Sequence, residues 1–109
     1  MRIWPENITA DDADVLAGTD LDQLEADGQL DIFALSTQAD TILNIRGPNN
    51  EPLVVNGEVP QETRAIRPND DTAFSLAVRN AGHYTLDVNI VTAATVQVLA
   101  VYRKRGTDF

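Results

Sequence analysis

The chain has 109 residues, 43% of them apolar, which suffices for one domain with a single hydrophobic core. It has no cysteine, which excludes disulfide bridges and thiolate metal sites. A net charge of −9 argues against nucleic acid as a partner, because affinity for a duplex depends on clustered Arg and Lys. No apolar run has the length of a signal peptide or the roughly 18 residues of a membrane span, so we expect a soluble protein with no membrane partner.

The charge is unevenly distributed along the chain. Residues 1–40 hold ten acids and the single base Arg2, whereas residues 41–109 hold seven acids and seven bases. The second part is neutral and alternates apolar with polar residues, which is typical of half-buried strands. We therefore predict an acidic N-terminal arm over residues 1–27 and a β domain over residues 28–109. The one basic cluster, residues 103–105, either solubilises a strand end or pairs with the acidic arm of a neighbour.

The arm begins with an isolated tryptophan, Trp4, which Pro5 keeps extended. Such an indole either packs on this or a neighbouring subunit or anchors a foreign partner. Residues 9–12 have the form of a capping box, which predicts a short helix up to Gly18, although an extended arm fits equally. The apolar anchors that this arm would offer to a partner are Ile3, Trp4, Val15 and Leu16.

Strand formers dominate residues 29–36 and 41–46, which we predict as two paired strands joined by residues 37–40. The turn-rich residues 47–52 lead to a short strand at residues 53–55. Asn56-Gly57, which follows, is the dipeptide most typical of a tight hairpin turn. A weaker strand is predicted at residues 62–67, before the turn at residues 68–71.

The clearest alternation lies in the C-terminal half. Residues 72–79 and 83–92 each place their large apolar side chains on one face, namely Phe74, Leu76 and Val78 in the first and Tyr84, Leu86, Val88 and Ile90 in the second. Residues 80–82 form a short hairpin loop between them, and the last strand covers residues 95–103. The spacing predicts an all-β fold, an antiparallel β-sandwich or jelly roll of seven to eight short strands.

The last predicted strand is apolar on both faces. Leu99 and Val101 lie opposite the face that carries Val98, and Phe33 and Leu35 repeat this pattern in the first full strand. Either the strand is central in a sandwich, or another subunit covers its outer face. Exposed apolar strand surface favours association, so Phe33, Leu35, Leu99 and Val101 are the predicted contacts of a homo-oligomer, expected to be a trimer.

No catalytic motif accompanies this layout. His83, the only histidine, opens a strand on its polar face, and neither Ser36 nor Ser75 lies in the glycine-flanked turn of a hydrolase nucleophile. The carboxylates from Asp20 onward lack the third oxygen ligand, the glycine and the Glu of a helix–loop–helix calcium site. We therefore predict that the protein is not an enzyme and has no cofactor and no metal site.

Two stretches, residues 28–45 (GQLDIFALSTQADTILNI) and residues 83–102 (HYTLDVNIVTAATVQVLAVY), resemble small β-rich proteins encoded among the structural genes of tailed double-stranded DNA viruses. These include capsid decoration, or cement, proteins. The resemblance implies a sandwich or jelly roll, often a homotrimer, that grips the major capsid protein with a terminal arm. It implies a location on the outer capsid surface of the virion, after synthesis in the host cytoplasm. The stretches contain no functional motif, so no site residues carry over. A carbohydrate- or surface-binding β module is the alternative, and a small hydrolase ranks third.

Overall fold

A computed structural model describes the whole chain, Met1–Phe109, as seven antiparallel strands in two sheets. The strands are β1 (Arg2–Ile8), β2 (Gly28–Ser36), β3 (Thr41–Arg46), β4 (Pro52–Glu58), β5 (Phe74–Val78), β6 (Thr85–Ile90) and β7 (Val96–Lys104). The first sheet has the order β1-β7-β2-β5 and the second the order β4-β3-β6. The predicted all-β antiparallel sandwich is confirmed. No helix is long and apolar enough to cross a membrane.

The core lies between the two sheets. Side chains alternate across each strand, so every second residue points inward. The inward residues of β2, β3, β6 and β7 are almost fully buried. They include Leu30 and Ile32 of β2, Leu43 and Ile45 of β3, Leu86 and Val88 of β6, and Val96 and Val98 of β7. The predicted apolar face of residues 83–92 is therefore the core face of β6.

The N-terminus belongs to the sandwich through β1. This strand pairs with β7 at seven positions, from Arg2 opposite Tyr102 to Ile8 opposite Val96. Trp4 packs against the core from the inner face of β1. The predicted arm over residues 1–27 is therefore wrong for its first part. Polar residues and Pro5 interrupt the apolar pattern of β1, and a proline is tolerated there because β1 is an edge strand.

Residues 9–27, which we call the acidic segment, connect β1 to β2 and are also integrated into the fold. Asp12 forms a bridge with Val88 of β6, and Leu24 forms one with Gly82 just before it. The segment thus follows the edge of β6 that β3 leaves unpaired. It contains turns but no helix. Its apolar residues Val15, Leu16, Leu21 and Leu24 are 0–4% exposed and belong to the core cluster.

The connections between strands differ from the predicted hairpins. β2 and β3 do not pair, because β2 lies in the first sheet and β3 in the second. The same holds for β5 and β6, so residues 80–82 cross between sheets. Period-two alternation identifies a strand and its buried face, but a sandwich lets consecutive strands enter opposite sheets. Alternation alone therefore could not assign the partners.

Asn56-Gly57 forms no hairpin turn. Both residues lie within β4, and the register between β3 and β4 shifts along this pair. Asn56 has a φ of +52°, a conformation that Asn tolerates better than most residues, so the dipeptide builds an irregularity in an edge strand. The hairpin between β3 and β4 is closed instead by residues 47–51, where the Gly47 amide donates to the Glu51 carbonyl at 2.9 Å.

Residues 61–73 form a loop, not the strand predicted at residues 62–67. Gln97, on the outer face of β7, holds this loop with both ends of its amide. Its Nε2 donates to the Arg64 carbonyl at 2.6 Å, and its Oε1 accepts the Ile66 amide at 3.3 Å. Arg64 and Asp71 pair within the loop. The loop therefore crosses the outer face of the first sheet beside Leu35, the register partner of Gln97.

This arrangement corrects the predicted oligomer contacts. Phe33, Leu35 and Val101 are 9%, 2% and 5% exposed within a single chain, and Leu99 is half-buried. β7 is a central strand that lies between β1 and β2. The alternative of a central strand is therefore the correct one. Phe33, Leu35 and Val101 need no second subunit to leave water.

Candidate partner-binding surface

The acidic segment carries seven carboxylates and no basic residue. Some of them build the segment itself: Asp11 Oδ1 accepts the Ile90 amide at 2.6 Å, and Asp12 Oδ1 accepts the Asp14 amide at 3.0 Å. Asp20 and Asp27 are exposed and make no side-chain hydrogen bond or ion pair. The buried leucines of the segment thus hold a set of negative charges at fixed places on the surface.

His83 connects the middle of the acidic segment to the sandwich. Its Nε2 lies 2.7 Å from Asp14 Oδ2. Its Nδ1 lies 2.6 Å from the Asp22 carbonyl oxygen and 2.8 Å from Asp22 Oδ1. Burial lowers the pKa of His83, but the hydrogen bonds and charges of Asp22 and Asp14 outweigh burial and raise this pKa above its usual value.

Side chains of β1 and β7, the first and last strands, contact the acidic segment at a second place. The Arg2 guanidinium donates to the carbonyl oxygens of Asp20 and Gln23 at 3.1 and 3.2 Å, and it lies 5.0 Å from the centre of the Tyr102 ring. The Tyr102 hydroxyl donates to the Glu25 carbonyl at 2.6 Å. Side chains of β1 and β7 therefore fix the path of the segment between residues 20 and 25.

The basic cluster at residues 103–105 is mostly used within the chain. Arg103 donates to the buried carboxylate of Asp31 at 3.0 Å. Lys104 pairs with Glu25 of the acidic segment, and the hydrogen bond from Lys104 lowers the pKa of Glu25. Arg105 is exposed and has no ion-pair partner. Lys104 of this cluster thus pairs with an acidic segment within the same chain.

The four predicted anchors have different positions in the structure. Val15 and Leu16 are buried in the core at 4% and 0% exposure, so their prediction as partner anchors is wrong. Trp4 is half-buried, and its Nε1 donates to Glu6 Oε2 at 2.9 Å. Ile3 is 47% exposed on the outer face of β1. Of the four, only Ile3 presents an exposed apolar side chain.

A groove of 670 Å³ runs along β1 beside Trp4. Pro5 and Asn7 of β1 form one side, Leu99 of β7 lies at its base and Ile66 of the crossing loop forms the other side. The groove is shallow and mixed in polarity. Trp4 is one of the residues that line it.

The serine and histidine considered for hydrolysis do not meet. The Ser36 hydroxyl lies 2.8 Å from Thr41 Oγ1 and is fully buried. Thr41 pairs with Ile90, at the end of β6 opposite to His83. Ser36 and His83 are therefore at opposite ends of the sandwich. The chain also contains no group of three or more His, Asp or Glu side chains that could hold a metal ion.

Sequence reasoning missed the contact of His83 with the acidic segment. Asp14 and Asp22 precede His83 by 69 and 61 residues, so no local spacing connects them. The only signal was the segregation of charge: a lone imidazole in a chain with excess carboxylates is attracted to them wherever the fold allows. The structure shows which carboxylates these are.

Comparisons of this chain with protein-family models, with curated proteins and with solved structures found no match. Function must therefore be inferred from the residues of this chain.

Proposed function

We propose that this protein is a non-enzymatic virion structural protein, a capsid decoration or cement protein that binds and stabilises the outer capsid shell. The observation that supports this proposal is the acidic segment, whose seven carboxylates are held in place by the buried side chains of Val15, Leu16, Leu21 and Leu24. Such a surface is preorganised, so a partner would not have to order it on binding. Complementary charge on the major capsid protein would give specificity and fast association.

The two stretches that resemble viral decoration proteins form the middle of the sandwich. Residues 28–45 cover β2 and most of β3, and residues 83–102 cover β6 and most of β7. β2, β3 and β7 each have a strand on both sides. The resemblance therefore concerns the body of the fold, while the binding surface in this proposal belongs to the acidic segment.

The proposal includes a homotrimer, but with contacts other than those predicted from the sequence. Leu53 and Val55 are 41% and 65% exposed on β4, an edge strand of the second sheet. Exposed apolar side chains on an unpaired edge favour association. Light scattering of wild type and Val55→Asp tests this part: a trimer that the substitution dissociates supports it, and a wild-type monomer contradicts it.

The alternative of a carbohydrate-binding module has less support. Stacking on sugar rings needs several exposed aromatic side chains on one face. Phe109 is the only aromatic residue among the exposed large apolar side chains, at 58% exposure, and Tyr84 and Tyr102 are 2% exposed. A single exposed aromatic side chain does not form the set that stacking on sugar rings needs.

Removal of charge from the proposed surface tests the proposal. Asp20→Asn/Asp27→Asn removes two exposed carboxylates of the acidic segment, and Glu58→Gln/Glu62→Gln removes two exposed carboxylates elsewhere. The assay is co-sedimentation with undecorated capsids of the virus that encodes the chain. At about 0.2–1 kcal/mol for each exposed pair, we expect the first variant to bind about 2- to 30-fold more weakly and the second to match wild type. Equal binding by both variants would contradict this role of the acidic segment.

A further inference from the structure

His83 lies between two carboxylates of the same distant segment. It precedes β6, in the connection from β5, whereas Asp14 and Asp22 belong to the acidic segment. Each carboxylate meets a different ring nitrogen, Asp14 at Nε2 and Asp22 at Nδ1. The His83 side chain is 25% exposed, so protons exchange with solvent without unfolding of the core. The ring is thus an accessible bridge between the acidic segment and the sandwich.

The contacts of this bridge require a protonated ring. A neutral imidazole has one N–H and one acceptor nitrogen, while an imidazolium has two N–H donors. Here both nitrogens face acceptors only: carboxylate oxygens of Asp14 on one side, and the carbonyl and carboxylate oxygens of Asp22 on the other. Loss of the proton would leave one nitrogen lone pair directed at an oxygen lone pair. It would also leave two carboxylates without the positive charge between them.

We propose that protonation of His83 closes a latch that holds residues 13–23 of the acidic segment against the sandwich, and that deprotonation opens it. The charges that act on the ring are those of Asp14 and Asp22, both on the acidic segment. The flanking residues on its own element, Gly82 and Tyr84, carry no charge at neutral pH. The latch does not depend on the proposed function, since it is a property of the isolated chain.

Opening of the latch is local. The bridges of Asp12 with Val88 and of Leu24 with Gly82 lie on either side of the latch and do not titrate. The residues between them would gain mobility, and the surface of the acidic segment would lose one positive charge. Below the ordinary histidine pKa of about 6.5, protonation of His83 stabilises the closed state by its full amount. This stabilisation is lost as pH rises through the higher pKa of His83 in the folded state.

The first measurement is the protonation of His83 itself. The chain has one histidine, so a proton NMR titration gives a single imidazole signal that needs no assignment. We expect a midpoint above 6.5 in wild type and lower midpoints in Asp14→Asn and Asp22→Asn. Asp20→Asn is the matched control, because it removes a carboxylate of the same segment that does not contact the ring. A wild-type midpoint at or below 6.5, or equal midpoints in all variants, would refute the latch.

The second measurement tests whether the proton moves the segment. The Val15 amide donates to the Leu86 carbonyl, so hydrogen exchange of this amide reports opening. The Leu24 amide, which donates to the Gly82 carbonyl in the bridge outside the latch, is a control that should keep its protection. We expect the protection factor of the Val15 amide to fall as pH rises toward the His83 midpoint, by tenfold for each pH unit between about 6.5 and that midpoint. The Val59 amide, bonded to Thr41 on the other side of the molecule, should not change.

His83→Gln completes this test, since glutamine keeps one donor but cannot become charged. Its Val15 amide should show the low protection of the open state at every pH. If His83→Gln does not fold, Asp14→Asn provides a second comparison: His83 still titrates beside Asp22, so protection of the Val15 amide should fall at a lower pH than in wild type. Protection in wild type that does not depend on pH, a pH dependence that persists in His83→Gln, or a dependence in Asp14→Asn at the same pH as in wild type would overturn the proposal.

Discussion

Leu16→Ala tests whether the acidic segment is part of the hydrophobic core. Leu16 is 0% exposed and belongs to the same cluster as the inward residues of both sheets. The substitution removes three carbon groups, which at about 0.8 kcal/mol each costs about 2.4 kcal/mol in transfer free energy. The cavity that remains raises the expected loss to between about 2.7 and 5 kcal/mol. That is a large part of the about 5–15 kcal/mol by which a domain is usually stable.

Urea denaturation followed by circular dichroism measures this loss as a shift of the unfolding midpoint. Val55→Ala is the control, because Val55 is 65% exposed on β4 and its truncation should cost less than about 1 kcal/mol. A Leu16→Ala protein as stable as Val55→Ala would refute the placement of Leu16 in the core. It would restore the interpretation of residues 9–27 as a segment separate from the sandwich.

Three other substitutions test the remaining structural statements. Gly28→Ala would place a Cβ 2.6 Å from the ring of buried Tyr102, so we expect a loss of about 1–3 kcal/mol in the same urea assay, and an unchanged midpoint would contradict that close approach. The hydrogen bond from Arg64 lowers the pKa of Asp71 to about 2. The stabilisation that this ion pair gives the fold is therefore fully present above pH 3.8 and is lost as pH falls through about 2. In Arg64→Gln, a carboxyl NMR titration should give a pKa of Asp71 closer to 3.8 than in wild type. Phe33→Ala should cost about 3 kcal/mol or more of unfolding free energy, because Phe33 is buried within one chain. Its molar mass in light scattering should equal that of wild type. A lower molar mass would show that Phe33 belongs to an oligomer interface.

The sequence predicted the strands that have one clear buried face. β5 and β6 alternate strictly, and their inward residues are those that the alternation identified. β7 could be identified as a strand but not as central, because apolar residues on both faces fit burial by another subunit as well as by the same chain. In the structure, the loop held by Gln97 crosses the outer face of the first sheet, which favours burial by the same chain. Nothing in the sequence of this loop marks it as a cover for a sheet.

The N-terminal third was misinterpreted for a different reason. Its excess of carboxylates suggested a solvated arm, but Leu16, Leu21 and Leu24 occur among them at spacings that fit no regular strand or helix. Irregular segments bury side chains through tertiary contacts, which local periodicity does not encode. The same applies to His83, whose two carboxylate partners are brought to it only by the fold.

The most direct test of the proposed function is the heat stability of capsids with and without this protein. Undecorated capsids are titrated with the wild-type chain, and the temperature at which the shells release their contents is recorded at each ratio. A cement protein should bind until its sites are filled and should raise that temperature along with occupancy, reaching a plateau at saturation. Capsids that bind no protein, or that bind it without any rise in this temperature, would contradict the proposal.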